Sequence, residues 1–192
     1  EAQEKIDVAY IRRMQLDQVS PAAREIVKAL QVAQTTDAEL ERVLQRMRDW
    51  DGALAAASPQ AAVYEVLTQR LIARLLSGKL GDLAVRYAGQ GPVPVLAESS
   101  LFGEHSREWL EKLLSEPASH WFDLGNGQTR NDIVCAALRE TVDFLRQTCG
   151  PAMEDWAWGK LHQLTFSHSL GSVKPLDKLF NRGPYPLGGD YD

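Results

Sequence analysis

Residues 58–78 read SPQAAVYEVLTQRLIARLLSG, a sequence that predicts a helix. Ser58 can cap the free backbone N–H groups at the helix start, and Pro59 suits the first helical position because no donor is needed there. Gly78 is the expected end, since glycine adopts the left-handed C-cap conformation at little cost. Between these signals the apolar side chains recur at helical spacing, at Val63, Leu67, Leu71 and Leu75.

The segments before residue 58 carry the same kind of signal. Residues 8–14 have apolar side chains at helical spacing, and Ser20-Pro21 opens a second helix that is expected to reach Gln34. Thr36-Asp37-Ala38-Glu39 is a capping box, in which the threonine and the glutamate each satisfy a backbone donor. It opens a third helix that should end at Asp51-Gly52 and whose apolar face holds Leu40, Val43, Leu44 and Met47.

The segments after residue 78 alternate helix signals with one strong break. We predict short helices over residues 80–87 and around residues 109–114, the second ending before Pro117. The run Gly89-Gln90-Gly91-Pro92-Val93-Pro94 excludes regular structure and is expected to be a mobile loop.

Both cysteines, Cys135 and Cys149, lie in one long predicted helix, which Thr129 and Asp132 open and Gly150-Pro151 closes. At 1.5 Å per residue their Cα atoms would be roughly 21 Å apart, whereas a disulfide needs about 4.4–6.8 Å. We therefore expect two unbonded thiols that pack as small apolar groups, and the redox compartment stays open.

The last forty residues or so differ in character. Residues 160–168 alternate, with His162, Leu164 and Phe166 on one side, which predicts a strand. The tail beyond it is extended and rich in Gly and Pro. The predicted organisation is a helical region over residues 1–155 and a strand plus extended tail over residues 156–192, in one structural unit. The fold class is mainly α, with one or two short strands.

Composition narrows the function classes. The 192 residues are 44% hydrophobic and 24% charged, which is the composition of a globular domain. The net charge of −5 argues against nucleic acid and anionic membranes as partners, because both select clustered Lys and Arg. The chain opens on Glu1, without an initiator Met or a signal peptide, so its start is expected to be processed or cut.

The positions of the histidines and acidic residues along the sequence do not match the spacing of a complete catalytic or metal site. In a strand, His162 and His168 would lie roughly 20 Å apart, too far for one metal ion. His105 and His120 have no ligand-spaced partner, and Asp49-Trp50-Asp51-Gly52 is more typical of a turn than of a calcium loop. Trp156 and Trp158 are expected to anchor a core or an interface rather than to line a binding wall. We assign no catalytic, cofactor-binding or metal-binding residue to the chain.

The region from Trp156 to Gly171, followed by Pro175-Leu176, by Phe180-Asn181-Arg182-Gly183-Pro184-Tyr185-Pro186 and by Gly188-Gly189-Asp190, resembles the penicillin amidase family. Matching landmarks occur upstream in the same order, at Met14-Gln15-Leu16-Asp17, Asp49-Trp50-Asp51-Gly52 and Ser58-Pro59-Gln60-Ala61-Ala62.

The resemblance implies an N-terminal-nucleophile (Ntn) amidohydrolase with an αββα architecture. Such enzymes cleave the amide of β-lactam antibiotics, acyl-homoserine lactones or related compounds. They expose a serine by self-cleavage, and its own α-amino group acts as base, having a pKa near 7.7–8.0. Because this chain begins with Glu1, the nucleophile, the oxyanion asparagine and the calcium ligands are expected outside it.

We interpret the chain as an interior, inactive fragment of the β-subunit, from the helical covering of the sandwich. Its partners would be the α-subunit and the rest of the β-subunit, and its location periplasmic or extracytoplasmic by resemblance. The alternative is a non-catalytic helical interaction module. In the fragment interpretation, the strand and the tail would lack the sheet that covers them in the parent enzyme, so we expect self-association or a disordered tail.

Overall fold

The computed structural model describes residues 6–88 and 101–190, and within them the chain is mainly helical with one small antiparallel sheet. The prediction of a mainly α fold with one or two short strands is therefore confirmed. The helices are α1 (Val8–Gln15), α2 (Pro21–Leu30), α3 (Ala38–Arg48), α4 (Pro59–Leu80), α5 (Leu83–Tyr87), α6 (Leu101–Ser115), α7 (Arg130–Cys149) and α8 (Asp177–Phe180), and the strands are β1 (Gln163–Phe166) and β2 (Arg182–Pro186).

Helix α4 is the central element of the core and packs along α7. Ser58 Oγ accepts from the Ala61 N–H at 3.1 Å, so the predicted N-cap is confirmed. The predicted apolar positions Val63, Leu67, Leu71 and Leu75 are all fully buried. Burial of each such side chain is worth about 1.5–3 kcal/mol relative to exposure, so this stripe is a main source of stability.

The predicted end of α4 at Gly78 is wrong. The helix continues to Leu80 and ends at Gly81, which has a φ of 54°. Gly78 lies inside the helix, where a Cβ would approach Leu124 Cδ2 to 2.7 Å. The glycine at this position is thus explained by close packing rather than by a helix end.

Two other helix boundaries also differ from the prediction. Helix α2 ends at Leu30, not at Gln34, because the Gln34 backbone is bonded on both sides to the Asn131 side chain, each bond being 2.9 Å long. The cap of α3 is Asp37 rather than Thr36, since the Asp37 carboxylate accepts from the N–H groups of Glu39 and Leu40.

Helix α3 ends at Arg48, before the predicted Asp51-Gly52, while its apolar face is buried as predicted. Helix α6 is 15 residues long and begins at Leu101, so it is not the short helix expected around residues 109–114. The predicted loop over residues 89–94 lies outside the described residues.

Helix α7 has the predicted ends. Thr129 and Asp132 form a reciprocal capping box, and Gly150 follows the last helical residue. Cys135 and Cys149 both lie on this helix and are free thiols, as the spacing predicts. Burial raises the pKa of both thiols, which keeps them in the unreactive protonated form at neutral pH.

The tail contains more regular structure than its Gly and Pro content predicts. It forms the short helix α8 and then β2, which pairs antiparallel with β1 through Leu164 opposite Tyr185. Gly183 permits this pairing, because its φ is 109° and a Cβ there would lie 2.5 Å from the Leu164 carbonyl oxygen. We call the paired strands β1 and β2 the hairpin. Every residue of both strands is exposed, so the hairpin presents an uncovered apolar face that includes Phe166.

No helix among the described residues is long and apolar enough to cross a membrane.

Candidate functional site

A buried charged cluster joins three distant parts of the chain. Arg107 of α6 donates to both Glu65 oxygens, at 3.0 and 2.6 Å, and to Asp190 Oδ2 at 2.7 Å. It also donates to the Tyr64 hydroxyl at 3.2 Å and lies over the Tyr64 ring. The side chains of Glu65 and Asp190 are only 3% and 5% exposed. We call Tyr64, Glu65, Arg107 and Asp190 the acid–arginine cluster.

Two features bring the cluster together. One is the packing of α6 against α4, and the other is the binding of residues near Asp190 to the helical body. Glu65 lies on the buried part of α4, and α6 packs against α4 to bring Arg107 over it. The tail is fixed next to Asp190 by two hydrogen bonds, from the Gly189 N–H to the Leu54 carbonyl at 2.7 Å and from Trp158 Nε1 to the Gly189 carbonyl at 3.0 Å.

The cluster perturbs the ionisation of its members. Burial raises the pKa of Glu65 to about 7, Arg107 opposes this in part, and the nearby Asp190 adds to the rise. Burial also raises the pKa of Tyr64 to about 12. The pKa of Arg107 is lowered by burial but raised more by Glu65, so the guanidinium stays charged. A carboxyl that titrates near neutral pH is uncommon and can mark a functional position.

A cavity of about 520 Å³ adjoins the cluster between α4 and α7. Glu65 belongs to the cluster and also lines the cavity, as does Trp158, and the Arg70 guanidinium lies 5.5 Å from the centre of the Phe144 ring in its wall. The remaining lining residues are Val66, Gln69, Ala73 and Leu161. The cavity thus offers apolar surface with one acidic and one basic group.

A second charged group links α3 to α7 at the surface. Arg139 pairs with Asp37 and Glu39, and Arg146 pairs with Glu39 and Asp143. These side chains are about one-third to one-half exposed, and solvent-exposed pairs typically contribute about 0–1 kcal/mol each. This group therefore links the two helices at the surface.

The histidines considered from the sequence are dispersed. His162 stacks on Trp158 with 5.0 Å between ring centres, and His168 stacks on Phe180 at 5.1 Å. Both flank β1 rather than lying in it, so the expected shared strand face is wrong. His105 lies beside Glu108 and His120 beside Trp121. In the described parts of the chain, no three His, Cys, Asp or Glu side chains are grouped to hold a metal ion.

The acidic segment Asp49–Gly52 is a turn. Asp51 Oδ1 accepts from the Ala53 N–H at 2.9 Å, and Gly52 has a φ of 82°. The two tryptophans are buried, Trp156 at 2% and Trp158 at 9% exposure, which confirms them as core anchors. Trp158 in addition borders the cavity, which is the wall position that the sequence analysis considered and did not favour.

Sequence comparison identifies the class of protein. The family model for penicillin amidase matches residues 1–192, the whole chain, so the protein belongs to the penicillin amidase family. The resemblance noted in the sequence is thereby confirmed.

The names of similar proteins are more specific than the name of the family. Acyl-homoserine lactone acylase QuiP of Pseudomonas aeruginosa is 25% identical over 182 residues, which cover 88% of this chain and 20% of that protein. QuiP of Pseudomonas syringae pv. syringae is 26% identical over 153 residues, covering 76% of this chain and 17% of that protein. The chain therefore spans about a fifth of the length of these relatives.

Proposed function

We propose that the protein containing this chain is an acylase that hydrolyses the amide bond of acylated small molecules, with acyl-homoserine lactones as the first candidate substrates. The family match over residues 1–192 carries this proposal. The relatives named above are acyl-homoserine lactone acylases, which supports the choice of substrate class. In the reaction, water adds across the amide and releases a carboxylic acid and an amine.

Within that enzyme, we assign this chain a non-catalytic role in the helical covering of an Ntn αββα sandwich. The nucleophilic serine, the oxyanion asparagine and any calcium ligands would come from other segments. The ion pairs of Glu65 and Asp190 with Arg107 support this role, because these three side chains bind one another. Several hydroxyl groups likewise cap helices, among them Ser20, Ser58 and Thr129.

Activity assays on two forms of the protein test the proposal. The longest form that can be produced is incubated with acyl-homoserine lactones of several chain lengths and with phenylacetyl and glutaryl amides. Mass spectrometry should detect the released acid and amine. The 192-residue chain alone should give no turnover above buffer. Turnover by this chain that is lost in Ser167→Ala or Ser169→Ala, both next to His168, would place a nucleophile here and contradict the assigned role.

The partner of the hairpin is proposed to be the remainder of the acylase, which would cover Phe166 and its neighbours. The exposed apolar face also favours the second candidate, a helical interaction module without chemistry. The two candidates predict different results for the longest form of the protein. An acylase would hydrolyse the amide, whereas an interaction module would bind a partner through the hairpin and would hydrolyse no amide. The acylase proposal also includes a periplasmic location, which cell fractionation would test.

A further inference from the structure

The two strands of the hairpin direct different backbone groups towards their outer edges. The Leu187 N–H donates to the His162 carbonyl at 3.0 Å, and the antiparallel register continues from this pair through Leu164. In an antiparallel ladder, directly opposed residues alternate between hydrogen-bonded and non-hydrogen-bonded pairs. His162 and Leu164 therefore direct their backbone groups towards β2, whereas Gln163 and Thr165 direct theirs away from it.

The outer edge of β1 is unpaired. The irregular register inserts its extra residue between Arg182 and Tyr185 of β2, so β1 keeps its alternation through Thr165. Within residues 6–88 and 101–190, no group bonds the outward N–H and C=O groups of Gln163 and Thr165. Every residue of β1 is also exposed. We call these outward groups of Gln163 and Thr165 the open edge, because they offer both donors and acceptors to a further strand.

The outer edge of β2 cannot offer the same bonds. Pro184 and Pro186 both lie in this strand, and neither has an N–H to donate. Pro186 is opposite Gln163, in a non-hydrogen-bonded pair, so its nitrogen faces outward. Proline on an outer strand is one of the means by which proteins prevent further pairing at a sheet edge. A further strand is thus directed to β1.

The hairpin has the dimensions of an incomplete sheet. Its strands contain four and five residues, and a two-stranded hairpin is at best marginally stable in water. Leu164 and Phe166 share one face with Tyr185, and the rings of Phe166 and Tyr185 lie 6.4 Å apart between centres. A third strand at the open edge would extend this apolar face and supply the hydrogen bonds that it lacks.

The added strand is better supplied by the same protein than by a second copy of the chain. A strand of four residues is roughly 13 Å long. Pairing between two such strands would bury far less than the about 1,200–2,000 Å² of a stable interface between separate molecules. A segment of the same protein does not pay the entropic cost of association between molecules. The chain spans about a fifth of the length of the relatives named above, so a protein of their size has ample further sequence for this strand.

We propose that the open edge binds an extended segment from the rest of the protein as a third strand, with β2 remaining an outer strand. The side chains of this segment alternate, and those beside Leu164 and Phe166 are apolar because cross-strand neighbours share a face. This inference deepens the proposed function, on which it rests for the partner, the remainder of the acylase. It adds the edge that binds the partner and the kind of segment that is bound.

Hydrogen exchange on the longest form of the protein, read by mass spectrometry at single residues, tests the proposal. The amides of Gln163 and Thr165 should exchange at least about a hundredfold more slowly than in an unstructured peptide. Pro186→Ala is the matched control, because it adds an N–H to the outer edge of β2, and this new amide should exchange rapidly. Rapid exchange at Gln163 and Thr165, or a protected new amide in Pro186→Ala, would overturn the proposal.

Crosslinking identifies the segment that is bound. A photo-crosslinking amino acid at position 163 of the longest form should react with a peptide that lies outside the 192 residues of this chain and in the same molecule. Crosslinks to residues 1–192, or between two copies, would overturn the proposed partner. Neither measurement depends on activity. A protected open edge in a protein that hydrolyses no amide would therefore contradict the acylase proposal but not the third strand, and hydrolysis by a protein with an unprotected edge would do the reverse.

Discussion

Replacing Arg107 with methionine should destabilise the protein strongly, because the substitution leaves two buried acids without their cation. Methionine keeps the apolar stem but makes none of the guanidinium's bonds to Glu65, Asp190 and Tyr64. Removing one partner of a buried pair typically costs about 3–5 kcal/mol, and the low exposure of both carboxylates places this site in that class. We expect a loss of that size in the free energy of unfolding at pH 8.

The loss should be smaller at pH 5. Without Arg107, protons can neutralise the two carboxyl groups, so the folded variant binds protons more tightly than the folded wild type does. By linkage, the difference in stability between the two proteins then grows as the pH rises. Adding Glu65→Gln to the variant should recover part of the loss at pH 8, since only one buried acid remains, and a double-mutant cycle measures that coupling.

Urea unfolding followed by circular dichroism at pH 5 and pH 8 provides the measurement. Arg74→Met is the matched control, because it breaks a pair with Glu140 whose side chains are 26% and 45% exposed. Such a pair contributes about 0–1 kcal/mol. If both variants lost the same stability within about 0.5 kcal/mol, or if the loss in Arg107→Met were larger at pH 5, the electrostatic reasoning would be refuted.

Three further predictions concern the hairpin, the tail and metals. Gly159→Ala should lower the free energy of unfolding by about 1–3 kcal/mol in urea titrations, because its Cβ would lie 2.6 Å from Pro186 Cβ. Phe166→Ser should reduce self-association of the 192-residue chain, measured by small-angle scattering at several concentrations. A compact monomer has a radius of gyration of about 16 Å, and a concentration-independent value near it in the wild type would exclude self-association. Calorimetric titration with Ca²⁺ or Zn²⁺ should give no one-to-one binding at micromolar concentration, and such an isotherm would contradict the assignment of the ligands elsewhere.

The helical part of the fold could be predicted because its signals are local. Ser58-Pro59 and the Thr129–Asp132 box both act within one helical turn, and the structure forms both caps. Two of the predictions failed where a distant residue contacts the segment. Asn131 ends α2 by binding the Gln34 backbone 97 residues away, and Leu124 explains Gly78 by packing against it.

Strand β2 was missed for a related reason. Its sequence, Arg182–Pro186, contains a glycine and two prolines, which in isolation argue against a strand. In the structure it is one half of a two-stranded sheet, where proline is tolerated because the outer edge needs no donor. It pairs with β1 although α8 lies between the two strands in the sequence, and no local pattern indicates such a pairing.

The acid–arginine cluster could not be found from spacing either, since Arg107 is 42 residues from Glu65 and 83 from Asp190. Its one sequence signal is Glu65 itself, a charged residue between Tyr64 and Val66 in a part of α4 that is rich in apolar residues. A lone acid on a buried face requires a partner, and that requirement predicts a basic residue without identifying which one.

The motif Gly188-Gly189-Asp190 is explained by three separate constraints acting on consecutive residues. Gly188 has no room for a side chain beside the Leu54 carbonyl and Gln18 Oε1. Gly189 has a φ of 75°, which side chains disfavour, and offers both of its backbone groups to the helical body. Asp190 supplies the carboxylate that completes the cluster around Arg107. The constraint at Gly188 is steric, the one at Gly189 combines a left-handed backbone with two hydrogen bonds, and the one at Asp190 is ionic. The tail is therefore positioned by close packing and by backbone hydrogen bonds, and the ion pair of Asp190 with Arg107 holds it in addition.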